Sequence, residues 1–163
     1  MIETMSLRPY HDGEALKVDA FLAGAKSVHG DKDLTPSGHH ALYLAEIGDQ
    51  LVGLLEYRVC LIESIQGQRP ALLLSKLLFA PECFDDENAL LGLNFFLNEG
   101  ERLGCDALFI EGPEMPYEKE AGFRLAAAEG LYDGLNPEGY LKSLRAKRLD
   151  GSSQLKPGFL YLI

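Results

Sequence analysis

The chain has 163 residues, of which 47% are hydrophobic and 25% charged, with a formal net charge of −10. That is one domain of ordinary size, able to bury a core without staples, and the composition excludes low-complexity or fibrous classes. An acidic surface repels phosphate backbones, which argues against nucleic acid as a partner.

In chain order, Ser6 to Tyr10 reads as a short strand, and Asp12 is placed to cap a following helix. Val18, Phe21, Leu22, Ala25 and Val28 then share one helical face. His29 to Gly38 is polar, with Pro36 and two glycines, and reads as a loop. Ala41–Ile47 and Leu51–Ile62 form a hairpin about the turn Gly48-Asp49-Gln50, and Glu63 to Pro70 comes next as a polar loop.

Leu72 to Phe79 is an almost unbroken apolar run, as expected of a strand buried on both faces. Pro81 ends it, because proline cannot donate to a sheet ladder. From about Asn88, Leu90, Leu93, Phe96, Leu97 and Leu103 recur at helical spacing, and Gly104 supplies a helix stop. Cys105 to Ile110 is a second apolar strand, broken by Gly112-Pro113. Residues 131–163 form a C-terminal extension: Asn136-Pro137-Glu138 starts a short helix and Phe159 to Ile163 is a closing strand.

Three widely spaced cysteines, Cys60, Cys83 and Cys105, suit a reduced, cytoplasmic protein. There is no C-x-x-C pair for zinc, no leader-like N-terminus and no apolar run of membrane-spanning length. His39-His40 point to opposite faces of a strand and so begin one rather than bind a metal. Lys142, Arg145, Lys147 and Arg148 are read as the solvated face of a helix. Neither a Gly-x-Ser-x-Gly elbow nor a Walker loop is present.

The run Leu77-Leu78-Phe79-Ala80-Pro81, the long helix after it, Leu108-Phe109-Ile110-Glu111-Gly112, and Tyr117 ahead of Gly122-Phe123 together resemble the Gcn5-related N-acetyltransferase (GNAT) family. The hairpin LYLAEIGDQLVGLLEYRV resembles that family's hairpin too. The resemblance covers roughly Met5 to Phe123. It implies an α/β GNAT-like fold: a mixed, mostly antiparallel sheet with helices on both faces, in a single domain spanning 1–163.

The resemblance also implies a chemistry, the transfer of an acyl group from acetyl-CoA to a small-molecule or protein amine. Backbone amides at Leu77, Leu78 and Phe79 would pair with the pantetheine arm, and the loop before the long helix would hold the pyrophosphate. That loop normally runs Gln/Arg-x-x-Gly-x-Gly/Ala. Here the matching positions are Phe84, Asp85, Asp86, Glu87, Asn88 and Ala89, without glycine and with three acids. Acids and substituted Cα atoms suit a helix start better than a phosphate cradle. Tyr117 lies one place before the position of the family's general acid, and a packing role is its alternative. Glu56 and Glu111 are candidate bases for the amine. The region 29–38 would lie over the acceptor site as a lid, and the closing strand offers an edge through which a second copy could pair. Two functions stand side by side: an N-acyltransferase, or a GNAT-fold binding or regulatory module that has lost acetyl-CoA.

Overall fold

The computed structural model describes residues 5–32, 40–64, 67–105, 107–111, 124–126, 146–148 and 158–162. The elements are β1 (Ser6–Pro9), α1 (Ala15–Gly24), β2 (Lys26–His29), β3 (His40–Ile47), β4 (Gln50–Ser64) and β5 (Gly67–Phe79). After a 3-10 turn at Pro81–Cys83 come α2 (Asp86–Arg102), β6 (Ala107–Glu111), β7 (Arg124–Ala126), β8 (Ala146–Arg148) and β9 (Gly158–Leu162). The strands form one sheet in the order β1-β3-β4-β5-β6-β9-β7, with β2 added to β5 and β8 to β4. Among the described residues β5 and β6 form the one parallel pair, so the sheet is mixed and mostly antiparallel.

The spacing of apolar residues in β5 explains its shape. Leu72, Leu74, Leu77 and Phe79 all enter the cluster under α2, although strict alternation would separate 74 from 77. The register supplies the missing residue: Tyr57 pairs with Leu74 and Glu56 with Lys76, leaving Ser75 as an extra residue on β5. Such a bulge bends a strand and re-aims the residues beyond it. On the side away from β4, β5 pairs with β6 from Ala71 to Leu74, and with β2 from Leu77 to Phe79. The bulge is where β5 changes partner.

Each sheet face buries its own cluster. Leu55, Tyr57, Leu72 and Leu74 meet Ala89, Leu93 and Phe96 of α2. Leu44, Leu54 and Leu78 meet Val18 and Leu22 of α1, with Ala25 just beyond it. Each such leucine contributes about 1.5–3 kcal/mol by leaving water.

Several local expectations are corrected. Asp12 does not cap α1: it sits in a turn before Gly13 (φ 97°), and the helix starts at Ala15 after Glu14. Glu14 accepts from the His11 amide (2.9 Å) and holds Arg8, which also bonds Glu46 of β3. The helix stops at Gly24, and Val28 sits on β2, buried in the α2-side cluster, rather than on the helical face. The hairpin turn has two residues, since Ile47 pairs with Gln50 across Gly48 (φ 60°) and Asp49. The predicted loop 63–70 is largely strand, because β4 and β5 stay paired out to Ser64 and Gly67. Lys147 and Arg148 lie on a strand, β8, not a helix.

Other expectations hold. The long helix ends before Gly104 (φ 71°), where a left-handed residue is needed and glycine has no Cβ to clash. The closing strand is present as β9, but it is inserted between β6 and β7 with both edges paired, which corrects the expectation that it offers an edge to a second copy. Tyr117, Gly122-Phe123 and the short helix begun by Asn136 lie outside the described residues.

Candidate functional site

Leu77, Leu78 and Phe79 form the last stretch of β5, all nearly devoid of solvent contact. Side chains of Leu77 and Phe79 point toward α2; a Cβ on Gly92 would stand 2.6 Å from a Leu77 methyl. Leu78 points to the α1 side. Their backbone is paired on both edges: Gly53, Leu54 and Leu55 of β4 on one, and Lys26, Ser27 and His29 of β2 on the other. The edge that the sequence assigned to a ligand is covered by the chain's own strand.

The start of α2 is capped by its own chain. Asp85 is its N-cap, and its Oδ1 accepts from the Asn88 amide at 2.8 Å. The Asn88 side chain donates to the Cys83 carbonyl (3.0 Å) and to Asp85 Oδ2 (3.3 Å), which locks the turn. Asp86 and Glu87 are exposed acids in the first helical turn, where the dipole favours them. The Ala89 methyl is buried in the core, and its amide donates to the Asp85 carbonyl (3.0 Å). Phe84 is 37% exposed, with Lys26 of β2 over its ring at 5.8 Å. The structure therefore brings Phe84, Asp85, Asn88 and the end of β5 together with β2, a segment absent from the sequence-based site.

Glu56 lies on the other face of the sheet, 3% exposed and directly across from Lys76, itself 4% exposed. Burial pushes the Glu56 carboxyl above its ordinary range, opposed by the nearby charges of Lys76 and Arg58, while Asp31 adds to the rise. The Lys76 ammonium donates to Asp31 Oδ1 (2.5 Å) and to the Asp31 carbonyl (3.2 Å). A buried carboxyl poised to hold or release a proton, flanked by cations, is a group able to do acid–base chemistry. Glu111 ends β6, beyond the stretch paired with β5.

Two groupings escaped sequence reasoning. One is the Lys76–Asp31 pair, whose members are 45 residues apart. The other is Glu99, 7% exposed on α2, which accepts from Tyr57 Oη (2.8 Å), Tyr43 Oη (3.1 Å) and Arg102 Nη2 (2.7 Å). These donors, Arg102 first, hold the Glu99 carboxyl below its ordinary range despite burial. Its signal was readable: Glu99 continues the buried stripe of Ala89, Leu93 and Phe96 at helical spacing, and a charge on an apolar stripe demands partners.

Among the described residues no group of three or more His, Cys, Asp or Glu is arranged to hold a metal ion, and no helix is long and apolar enough to cross a membrane.

No protein-family model and no curated protein matches this chain in sequence. Solved structures do match in shape. The ribosomal-protein-S18-alanine N-acetyltransferase of Escherichia coli superposes with a TM-score of 0.63 at 11% identity, over 98% of this chain and 94% of its own. A GNAT family acetyltransferase from Brucella melitensis, solved in complex with acetyl-CoA, gives 0.56 at 13% identity over 76% and 84%. A probable N-acyltransferase of Enterococcus faecalis V583 gives 0.57 at 11%, and the chain spans only 33% of that protein's length. At such identities the likeness establishes the fold and not the activity. The fold is that of the GNAT acyltransferases.

The expected acetyl-CoA position is partly taken by the chain itself. Asp85 already takes the Asn88 amide, acids line the first turn of α2, and β2 fills the edge of β5. In this conformation β2 covers the edge where the extended arm would pair, and the acids of the first turn of α2 oppose a phosphate there.

Proposed function

We propose that this protein is an acyl-CoA-dependent N-acyltransferase acting in the cytoplasm on an amine, small or protein-borne. The observation that carries the reading is Glu56. It is a buried carboxyl on a central strand of a GNAT fold, set across from Lys76, and burial raises its proton affinity. Acetyl-CoA, when bound, supplies the activated acyl group. Glu56 takes the proton that an ammonium must lose before its nitrogen becomes nucleophilic. Tyr117 is proposed to deliver a proton on the leaving-group side. The acidic surface favours a cationic acceptor.

A second reading is favoured by Asp85 and β2: a GNAT-fold module that has given up acetyl-CoA and binds or regulates a partner. Calorimetry with acetyl-CoA, on the wild-type protein and on an Asp85→Gly, Glu87→Gly double variant, separates the two. Micromolar binding by the wild type, followed by acyl transfer in an amine screen that Glu56→Gln abolishes, supports the enzyme. Binding by the double variant alone supports the module.

A further inference from the structure

β2 has the construction of a detachable part. It is 4 residues long, with Lys26 and Ser27 exposed and Val28 alone fully buried. Its register on β5 slips between Ser27 and His29, so even this short ladder is irregular. Among the contacts that hold it down, two lie just beyond it. Gly30, at φ +84°, lies so close to the β5 bulge that a Cβ there would stand 2.1 Å from the Ser75 carbonyl oxygen. Next, Asp31 receives the buried Lys76 ammonium of β5 through both its side chain and its main chain. A short, irregular ladder with one buried side chain marks a segment that opens locally at lower cost than the central strands.

The place it covers is specific. Beyond Leu74 the edge of β5 has no partner from β6, and β2 supplies one from Leu77 to Phe79. An extended ligand that pairs through main-chain hydrogen bonds needs such an edge. We infer that β2 is a self-occluding strand, latched by Asp31 to Lys76, which must leave the β5 edge before the extended arm of acetyl-CoA can pair there. This inference rests on the proposed function, and makes affinity for acetyl-CoA proportional to the fraction of molecules with β2 lifted.

The test is hydrogen exchange at residues 26–29, run with acetyl-CoA calorimetry on the full chain. Two variants loosen the strand by different routes: Asp31→Ala removes the latch, and Gly30→Ala places a methyl against Ser75. In the free variants the amides of 26–29 are expected to exchange about tenfold faster or more, with β4 and α2 still protected. Both variants should then bind acetyl-CoA about threefold or more tightly than wild type. Saturating the wild type with acetyl-CoA should likewise deprotect 26–29. Acetyl-CoA bound to the wild type with 26–29 as protected as before would overturn the strand's role and leave the acyltransferase reading standing. Opened variants with no binding by any of the three proteins would sink the acyltransferase reading, and the role of β2 with it.

Discussion

Glu56 and Glu99 are both buried glutamates of one domain, on opposite sides of one sheet, and their environments drive them apart. Glu99 is wrapped by donors: two tyrosine hydroxyls and the Arg102 guanidinium hold it ionised. At Glu56 burial outweighs the opposing charges of Lys76 and Arg58. Burial by itself raises a carboxyl; hydrogen bonds to the charged form reverse the sign. Glu99 ties α2 to the hairpin, whereas Glu56 has a raised proton affinity, which the proposed function uses for a base.

That contrast breaks if each residue does the other's work. The largest expected effect is on activity: Glu56→Gln should slow acyl transfer about 10²- to 10⁴-fold, the range for loss of a general base. Its folding stability at neutral pH should change by less than about 1 kcal/mol, because the substitution keeps volume and places a neutral group where burial disfavours charge. Steady-state kinetics beside urea denaturation read both.

Glu99→Ala should behave in the opposite way. It strands two tyrosine hydroxyls, of which Tyr57 is buried, and should cost about 3 kcal/mol in stability. Urea midpoints that match wild type would show that the network is ornamental. Asp85→Ala offers an intermediate case, an exposed carboxylate that accepts from the backbone and side-chain amides of Asn88, and should cost about 1 kcal/mol as a lost helix cap.

The smallest effect is a difference in pH dependence. Glu99 has a folded-state pKa below its ordinary 4.5, so its contribution to stability is complete above that value. It is lost as pH falls through the depressed folded value. Glu56 is raised from 4.5, so the protonated form is favoured in the fold. Its contribution is complete below 4.5 and lost as pH rises through the elevated folded value. Stability differences between wild type and Glu99→Gln should therefore shrink on acidification, and those for Glu56→Gln should drift toward the variant as pH rises. Parallel profiles for the two substitutions would contradict the comparison.

Where elements are long and self-consistent, the sequence reads well. The hairpin, the apolar run ending at Phe79, α2 and its Gly104 stop each carry their signal in consecutive residues, and the GNAT-like order comes from them. β2 was not legible. Its 4 residues continue the helical spacing of α1 as far as Val28, and two of them face solvent, so neither period marks a strand. The overhang of β4 and β5 to Ser64 and Gly67 escaped for a related reason, since polar residues there mimic a loop.

The sequence by itself determined the chain's strong local preferences: which stretches extend, which coil, and where proline and glycine stop them. Those choices rest on interactions within a few residues. Tertiary structure alone decided that β2 covers the edge of β5, that Lys76 meets Asp31, and that one buried glutamate is raised while another is lowered. Each of these depends on partners tens of residues distant, whose arrival changes dielectric, hydrogen bonding and strand pairing in ways no local pattern encodes.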